Sequence, residues 1–582
     1  MKRIGLFVFF DKQGIVDDYV LYLLTSINEE LDRLVIIANG MLTADGRKKL
    51  EALTKDVFVR ENRGYDTAAW KEGIVGYLGW EVLKKYDEIV FFNDTFYGPL
   101  YSFHAVFEKM QTKNVDFWGL SCHDEAPDAS KKGKYGYWPR HIQSFFLVVR
   151  KRMHTSYEFK KYWEDMPIVE GYNEVIANHE TIFTETFSNA GYKWAVYSDT
   201  TDEKTSRYTS WCHYAFAAYD MVSNRQYPII KKRPLTLEKK DMLPFNNGND
   251  MKKTLEYVKQ KTNYDVDLIW DNLLRTENLY GIQNGLNLTY VLSSLESEEK
   301  RLDFNNVAVV FCIQEENSVP IFKEYLDSIP KSLAIYIITP KNQIKEWLQE
   351  NIKRPIIIRK TQNNGLVAVL DEFYKELLLY KYIGIGCDFP IRPDKELSAE
   401  LYAYLDYELE GLIASENYIK NVLKTFSEEK KLGLLNVAPP VFGKYFANIY
   451  PEWDKHIFQE LTKIGKSLEK PFNIDQNIPP VCWTDFFWIR TNIIAQLLDN
   501  HILSKLLFNK RKTEKSEQII GMLLPYFAQQ LGYYSGTMMT SQQASSNIMN
   551  LNYIVAKTFG VLKSHKHHGW DHYNIFLNEF QN

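Results

Sequence analysis

Two stretches of this 582-residue chain, residues 2–100 and 305–395, repeat one order of apolar runs and helical segments. Each opens on an apolar run, passes through a helical segment to a second run, and reaches a third run that ends in Arg. The runs are Ile4–Phe10, Leu34–Ala38 and Val57–Arg60 in the first stretch, and Val307–Phe311, Leu333–Ile338 and Ile356–Arg359 in the second. Strands that alternate with helices are typical of parallel sheets built from βαβ units. The sequence therefore predicts two tandem α/β domains, each Rossmann-like with a mostly parallel sheet.

Polar turns recur at matching places in the two stretches. Asn-x-Gly follows the third run in both, at Asn62–Gly64 and at Asn363–Gly365. A segment led by Tyr then reaches Asp after eight residues, at Tyr86–Asp94 and at Tyr380–Asp388. Where the two stretches differ in polar residues, we expect that one has kept a function and the other has lost it.

The chain is too long for a single hydrophobic core. The first α/β pattern continues to about residue 215, and the second continues beyond residue 530. Between them, charge runs and two helical patterns, Lys252–Lys261 and Asp265–Arg275, indicate a helical connector. We predict domains at 1–218 and 305–582, the second with a helical tail, joined by a connector at 219–304.

Composition excludes several classes of protein. A hydrophobic content of 45% rules out a disordered chain. The net charge of −4 gives no sign of nucleic-acid binding. Five scattered cysteines have neither metal-site spacing nor a disulfide framework, which favours a reduced, cytosolic setting. The run Ile4–Phe10 meets Asp11 at once and is interpreted as a strand rather than a signal sequence. No run of about 18 apolar residues predicts a membrane span.

Polar residues cluster where the predicted strands of the first domain end. Because parallel α/β sheets bind ligands at the carboxyl ends of their strands, these residues are candidates for a binding site. They are Asp11, Asn39, Asn62, Arg63, Gly64, Asp66, Asn93, Asp94 and Thr95. The turn at Gly64 opens a helix whose free N–H groups favour anionic ligands, although a Gly turn with an Asp or Thr cap explains the same residues. Asp94 at the tip of a buried strand is costly unless it meets a cation, water or a ligand; a solvated turn is the plainer interpretation.

A third element of the candidate site is helical. Glu180 is expected to start a helix that Gly191 ends, just before the strand Trp194–Tyr197. The carboxylate then either stabilises the helix N-terminus or points into the cleft at the end of the sheet. His141, just before a strand, and His213 are candidate contacts for a polar substrate, with ordinary packing as the alternative for each.

Together these segments resemble a glycosyltransferase of the GT-A type. The general resemblance is carried by Asn62–Gly64, Ala69, Gly73, Asn93–Thr95, and Glu180 eleven residues before Gly191. Longer strings are similar to the rhamnan synthesis protein F family over nearly the whole chain. These strings are Glu61–Asp66, Phe92–Pro99, His141–Phe146 and Leu524–Tyr534. The fold class implied is two tandem GT-A-like domains joined by a helical connector.

The resemblance implies a transferase that moves L-rhamnose from dTDP-L-rhamnose to a lipid-linked rhamnan acceptor of the cell wall, with inversion. It also implies that Glu180 is the general base and that Asp94 holds the diphosphate through Mg²⁺ or Mn²⁺. Further implied roles are binding of the sugar donor by Asp11, Asn62, Arg63, Gly64, Asp66, Asn93 and Tyr97, binding of the acceptor by His141 and Gln143, and metal binding by His213 as well as Asp94. The strand motif is Asn-Asp-Thr in place of Asp-x-Asp. Water, amide and diphosphate oxygens would therefore have to complete the shell of a metal.

A lipid-linked acceptor implies a cytoplasmic protein held at the inner face of the plasma membrane. Two basic patches, Lys231–Arg233 and Lys510–Lys512, are candidate contacts with anionic headgroups, at about 1 kcal/mol per charge. An ordinary solvated surface is the favoured interpretation of either patch.

The second stretch has lost most of the polar residues of the first. The counterparts of Asp66, Asn93 and Glu180 are Val367, Cys387 and Gly521. We expect the second domain to bind acceptor glycan or to support the first, although Asp485 and Glu517 keep open that it is the catalytic half. Two other functions remain possible for the whole chain: a non-catalytic glycan-binding or scaffold protein of wall-polymer assembly, and a transferase for another nucleotide sugar.

Overall fold

The structure is a computed structural model of the chain. It describes residues 1–128, 131, 134–200, 213–295, 304–361, 365–388, 399–443, 453–468, 472, 474–476, 478–479, 485–499 and 514–564. Two compact units divide the chain, at Met1–Asn272 and Leu273–Asn582. Helices of the predicted connector fall into both units, and the predicted domain limits at 218 and 304 remain predictions.

The first unit is built on a seven-stranded sheet. Its strands, with those of three small pairs beside it, are β1 (Arg3–Phe9), β2 (Arg33–Asn39), β3 (Val57–Arg60), β4 (Glu88–Asn93), β5 (Phe96–Tyr97), β6 (Phe117–Gly119), β7 (Cys122–His123), β8 (Ala126–Pro127), β9 (Tyr137–Trp138), β10 (His141–Ile142), β11 (Phe146–Arg150), β12 (Trp194–Val196) and β13 (Ile230–Lys231). The order in the sheet is β12-β6-β11-β4-β1-β2-β3. Strand β11 is antiparallel to both neighbours, and the other pairs are parallel.

The second unit has an eight-stranded sheet. Its strands are β14 (Thr289–Leu292), β15 (Val307–Cys312), β16 (Ala334–Thr339), β17 (Ile357–Lys360), β18 (Tyr382–Cys387), β19 (Leu432–Val437), β20 (Phe486–Arg490) and β21 (Tyr534–Thr540). The order is β14-β21-β19-β20-β18-β15-β16-β17. Strand β20 is antiparallel to both neighbours, as β11 is in the first sheet.

The two sheets therefore share one strand order and one pattern of directions, and the second sheet adds β14 at its edge. The register of the central strands gives the same correspondence, because Val8 lies opposite Asn93 and Cys312 lies opposite Cys387. The expected fold class of two tandem α/β units with mostly parallel sheets is confirmed.

Helices cover the sheets. In the first unit they are α1 (Asp18–Asn28), α2 (Ala44–Glu51), α3 (Tyr65–Lys71), α4 (Trp80–Leu83), α5 (Phe103–Gln111), α6 (Lys151–His154), α7 (Tyr157–Asp165), α8 (Tyr172–Val175), α9 (Thr181–Asn189), α10 (His213–Phe216), α11 (Ala218–Arg225), α12 (Lys239–Met242) and α13 (Asp250–Lys261). Helix α14 (Asp267–Thr276) spans the boundary between the units. In the second unit they are α15 (Leu279–Leu286), α16 (Val319–Leu326), α17 (Asn342–Asn351), α18 (Gly365–Leu377), α19 (Ala399–Ile413), α20 (Glu416–Glu428), α21 (Lys455–Lys466), α22 (Thr491–Asp499), α23 (Glu514–Gln530) and α24 (Ser541–Ser564). Two π-helical turns, Glu72–Leu78 and Ile176–Glu180, continue α3 and α8.

The apolar runs become the central strands because both faces of each sheet are covered. All seven residues of β1 and all six of β15 are buried, as expected for parallel strands between helical layers. Among the residues that the structure describes, no helix combines the length and the apolar character needed to cross a membrane.

Candidate active site at the end of the first sheet

The end of β4 forms the floor of the candidate site. The Asn93 side chain accepts hydrogen bonds from the backbone N–H of Thr95 at 3.1 Å and from its hydroxyl at 2.6 Å, both on Oδ1. Its Nδ2 donates to Asp66 Oδ2 at 2.5 Å. Asn93 thus holds the turn after β4 and ties it to the start of α3.

The loop before α3 is held from behind by Arg60, the last residue of β3. Its guanidinium donates to Asn39 Oδ1 at 2.6 Å, to the backbone oxygen of Arg63 at 2.9 Å and to Glu72 at 2.7 Å. Gly64 has a φ of 72°, and a Cβ there would lie 2.6 Å from the Cβ of Ala68. Only glycine fits this turn, and the turn brings Asp66 to Asn93.

Glu180 enters the site from a helix, but it does not start that helix. The helix begins at α8, and Glu180 is the last residue of the π-helical turn that precedes α9. The prediction that Glu180 is the first helical residue is wrong, because the helical hydrogen bonds already begin at Tyr172. Single π-helical turns recur at functional sites.

Two side chains of the segment before β11 hold the Glu180 carboxylate. Ser144 donates its hydroxyl to Oε2, and His141 Nε2 lies 3.7 Å from Oε1. His141 Nδ1 lies 2.7 Å from the backbone oxygen of Pro139; because a carbonyl only accepts, Nδ1 carries a proton and Nε2 is left to face the carboxylate. The backbone N–H of Ile142 donates to Thr184 on α9 at 2.9 Å, which fixes the helix to this segment.

These contacts keep Glu180 ionised. Burial alone would raise the pKa of Glu180, but His141, the Ser144 hydroxyl and the Lys231 ammonium act against it and lower the pKa to about 2. The carboxylate can therefore accept hydrogen bonds at neutral pH.

Two lysines reach the site from a strand far away in sequence. Strand β13 pairs with β5, with Lys231 opposite Phe96, and Lys231 Nζ donates to the Thr95 hydroxyl. Lys232 Nζ lies 3.7 Å from Asp94 Oδ2 and donates to the Tyr19 hydroxyl at 2.5 Å. Sequence reasoning missed both as site residues and assigned them to a basic patch, interpreted as solvated surface with contact to anionic headgroups as the alternative. The signal that was available is their position directly after the apolar run Tyr227–Ile230.

Burial and mutual charge shift the pKa values of these groups. Burial and the neighbouring Asp94 raise the pKa of Asp66 to about 6. Burial also raises the pKa of Asp94, against the opposing charge of Lys232. Burial lowers the pKa of Lys231 to about 8, although Glu180, Asp66 and Asp94 oppose that shift. Three acids and two lysines thus form one coupled cluster at the carboxyl end of the sheet.

Other predicted site residues lie at or near this cluster. Asp11 caps its own loop by accepting the backbone N–H groups of Gln13 at 2.9 Å and Ile15 at 3.0 Å. Asn62 and Arg63 are exposed, and Arg63 pairs with Glu170 at 3.1 Å.

Three further predicted site residues are buried and contact other parts of the first unit. Tyr97 is fully buried and donates to Asn272 at 2.6 Å, so it has no surface left for the predicted contact with the sugar donor. Gln143 is buried and accepts the Ser121 hydroxyl at 2.7 Å. His213 is buried with Nδ1 3.9 Å from Asp124.

The donor atoms at the end of β4 do not fit a divalent metal. Within the described part of the chain, no group of three or more His, Cys, Asp or Glu residues is arranged to hold a metal ion. Asn93 uses its amide on Thr95 and Asp66, and Asp94 faces the ammonium of Lys232. A hard cation takes about six oxygens; here Asn93 Oδ1 already accepts from Thr95, Asp66 Oδ2 accepts from Asn93, and Asp94 Oδ2 faces an ammonium.

The matching strand end of the second unit is different. Asp388 follows β18 and is buried, with its carboxylate accepting the backbone N–H groups of Gln314 at 2.7 Å and Glu315 at 3.1 Å. Burial raises the pKa of Asp388 to about 7. Gly521 lies within α23, Asp485 is half-buried before β20, and the side chain of Glu517 lies outside the described residues.

Fold and site together define an α/β protein with a charged site at the carboxyl ends of its first sheet. The chain belongs to the rhamnan synthesis protein F family, whose model matches residues 34–533. The expected family membership is confirmed.

Individual relatives are distant. The uncharacterized protein y4gN of Sinorhizobium fredii is 21% identical over 188 residues, which are 32% of this chain and 46% of that protein. The chain thus spans less than half the length of this curated relative. Core-mannan synthase A from Aspergillus fumigatus, in its Mn/GDP form, is similar with a TM-score of 0.21 and 11% identity over 32% of this chain and 69% of that chain. A cytidylyltransferase from Leptospira borgpetersenii has a TM-score of 0.20 and 10% identity over 35% of this chain and 77% of that chain. Similarity at this level does not identify an activity.

Proposed function

We propose that the chain is a glycosyltransferase of polysaccharide synthesis, that it transfers L-rhamnose from dTDP-L-rhamnose to a rhamnan acceptor, and that the first unit carries the reaction. The observation that carries the proposal is the cluster of Glu180, Asp66, Asp94, Lys231 and Lys232. An ionised carboxylate and two ammonium groups meet there at the sheet edge where α/β folds bind ligands. Membership of the rhamnan synthesis protein F family supports rhamnan as the polymer.

The transfer is a single inverting displacement. The acceptor hydroxyl attacks C1 of the rhamnose, the new bond from the acceptor oxygen to C1 forms, and the bond from C1 to the diphosphate oxygen breaks. The acceptor proton passes to Glu180, and dTDP leaves with the electron pair. A positioned base contributes about 10²–10⁴-fold to such a reaction.

Ser144 and His141 position the base. Both contact the Glu180 carboxylate, and the acceptor hydroxyl replaces one of these contacts when it binds. His141 Nε2 lies beside Oε1 and helps to fix the position of the carboxylate. This role differs from the predicted direct contact of His141 with the acceptor.

A small pocket beside Glu180 has room for one group of about the size of a methyl. Ser144 and Glu180 line it together with apolar and aromatic side chains, which include Trp70, Tyr162 and Phe183. A 6-deoxyhexose presents a methyl group where other hexoses present a hydroxymethyl group. An apolar wall favours the methyl group because burying a hydroxyl without a partner is costly.

The second unit is proposed to be a non-catalytic partner that arose by internal duplication. The shared strand order supports the duplication, and the loop-capping role of Asp388 supports the loss of chemistry. Acceptor binding by this unit stays part of the proposal.

A lipid-linked acceptor and a place at the inner face of the plasma membrane also stay part of the proposal. The basic patch Lys231–Arg233 does not support them, because Lys231 and Lys232 contact site residues. The second patch, Lys510–Lys512, lies outside the described residues.

The test is a screen of nucleotide sugars with purified protein and a synthetic rhamnosyl acceptor, read as transfer and as binding by calorimetry. Transfer from dTDP-L-rhamnose, at rates well above those with dTDP-glucose or GDP-mannose, is the expected result. Transfer from a different nucleotide sugar would replace the proposed sugar donor. Binding of glycan with no binding of any nucleotide would mean a scaffold in place of an enzyme.

A further inference from the structure

The pairing of β13 with β5 places two lysines over the turn at the end of β4. The backbone N–H of Lys232 donates to the Thr95 oxygen at 3.1 Å, so this part of the chain is held in position independently of the side chains. Lys231 Nζ then donates to the Thr95 hydroxyl and lies 4.1 Å from the centre of the Phe145 ring. Lys232 Nζ lies 4.3 Å from the centre of the Tyr19 ring and 3.7 Å from Asp94.

Both lysine side chains are half-buried, and taking an ammonium group partly out of water is unfavourable unless its charge is compensated. Lysine is among the residues most rarely buried, and its ammonium is strongly hydrated in water. Contacts with aromatic rings and a hydroxyl stabilise an ammonium less than the hydration that it loses. Nearby negative charge must therefore supply the rest of the stabilisation. Asp66, Asp94 and Glu180 supply it in the ligand-free site.

The same place is where a sugar-nucleotide diphosphate would need positive charge. The oxygens of Asn93 and Asp94 do not fit a divalent cation, for the reasons given above. An ammonium has three N–H donors, and Lys231 donates one of them to Thr95. It can therefore keep its place on the turn and still donate to phosphate oxygens.

We propose that Lys231, together with Lys232 beside Asp94, supplies the positive charge that binds the diphosphate of a nucleotide sugar and stabilises it as the leaving group, without a divalent metal. This inference rests on the proposed function, because it names how the same site holds its nucleotide. The chemistry recognised is a nucleoside diphosphate. Asp94 then acts by orienting Lys232 and not as a metal ligand.

Calorimetric titration of dTDP into the full-length protein tests the inference. The wild-type protein should bind dTDP with unchanged affinity in EDTA and in Mg²⁺ or Mn²⁺. Lys231→Met should weaken the affinity by about 10- to 100-fold, the range expected for losing a hydrogen bond to a charged group. Lys232→Met should have a smaller effect, because Asp94 already offsets part of the Lys232 charge. Lys231→Arg should restore most of the affinity, because it keeps the charge.

The matched control is Lys84→Met, which removes an exposed lysine that pairs with Glu81 on the surface. It should bind dTDP like the wild-type protein. Circular dichroism and thermal unfolding establish that each variant is folded, and Lys231→Gln, which can still donate to Thr95, replaces Lys231→Met if that variant does not fold.

The outcomes distinguish a failure of the lysine inference from a failure of the proposed function. If dTDP binds only when Mg²⁺ or Mn²⁺ is present, or if Lys231→Met binds as the wild-type protein does, the lysine inference is overturned and the proposed function stands. If the wild-type protein binds no nucleoside diphosphate under any of these conditions, both are overturned.

Discussion

The matching strands β4 and β18 are each followed by a buried aspartate, and the two aspartates have different partners. Asp94, after β4, faces Lys232. Asp388, after β18, accepts two backbone N–H groups of the loop after β15. The positions in the fold match, yet one carboxylate belongs to a cluster of side-chain charges and the other holds a loop together. The comparison teaches that a conserved place in a fold does not preserve chemistry unless the surrounding charged side chains are kept as well.

A second pair of residues shows what both units have kept. Arg60 and Arg359 stand at matching strands, and each pairs with an acid on the helix that follows, Glu72 and Glu376. These ion pairs brace the strand against the helix in either unit. The ion pair between strand and helix is present in both units. The cluster of three acids and two lysines belongs to the first unit.

The largest expected effect is that of Glu180→Gln. The variant should lose about 10²–10⁴-fold in the rate of rhamnose transfer, because a base acts in the transition state. Its affinity for dTDP-L-rhamnose should stay within a few-fold of the wild-type value. Rates of transfer and calorimetric affinities check this. Glu185→Gln is the control on the same helix, since Glu185 accepts a hydrogen bond from Asn189, and it should keep full activity.

Asp388→Asn should lower the free energy of unfolding and leave the affinity for dTDP unchanged. An amide has one acceptor oxygen, so the N–H of Gln314 or of Glu315 would lose its partner, at a cost of about 1–3 kcal/mol in the free energy of unfolding. The comparison is made at pH 5, where the carboxyl is already neutral because burial raises the pKa of Asp388 to about 7, so the amide removes no charge. Chemical unfolding monitored by fluorescence measures the cost, and calorimetry should show unchanged dTDP affinity.

Asp94→Asn should have the opposite profile. The Asp94 carboxylate faces a lysine rather than holding two backbone N–H groups of a loop, so the amide breaks no such pair and the free energy of unfolding should change little. Affinity for dTDP should fall, because Lys232 loses the carboxylate that orients it. A variant as unstable as Asp388→Asn with normal dTDP affinity would erase the contrast between the two strand ends.

The affinity for dTDP-L-rhamnose should fall in two steps as the pH rises from 5 to 9. Asp66, with its pKa at about 6, is neutral below the first step and repels the diphosphate above it. Lys231, with its pKa at about 8, is charged below the second step and neutral above it. Each step should be about 10-fold or less. Asp66→Asn should remove the lower step and Lys231→Met the upper one; steps that survive in both variants would assign the titration to other groups.

The sequence predicts the sheets well because burial dominates there. The run Val57–Arg60 is β3 itself, and Leu34–Ala38 lies within β2. Both are apolar runs between polar turns, and their period and length are local properties. The boundary of the helix at Glu180 was predicted too late, because a π-helical turn continues the helix without a break in the sequence pattern.

The site is only partly visible in the sequence. Asp66, Asn93, Asp94 and Glu180 were found because each lies at the end of a predicted element. Lys231 was not, because its partner Thr95 is 136 residues away and a two-residue strand leaves no periodic signal. The contact between Ser144 and Glu180 was missed for the same reason, since pairings of this range are decided by tertiary packing.

The smallest expected effect is that of Arg63→Ala. Its pair with Glu170 is exposed on both sides, and such pairs contribute little to stability because water screens them. The melting temperature should therefore not change measurably. If the exposed loop contacts the sugar donor as predicted, dTDP-L-rhamnose affinity should weaken by a few-fold and the affinity for acceptor should not; unchanged affinity would remove Arg63 from the site.

The most direct test of the assignment of chemistry to the first unit is rhamnose transfer measured side by side for the wild-type protein, Glu180→Gln and Asp388→Asn, each with EDTA present. Activity in the wild-type protein and in Asp388→Asn, with loss of activity in Glu180→Gln, is the predicted result. Activity in Glu180→Gln together with an inactive but folded Asp388→Asn would contradict the account and move the chemistry to the second unit.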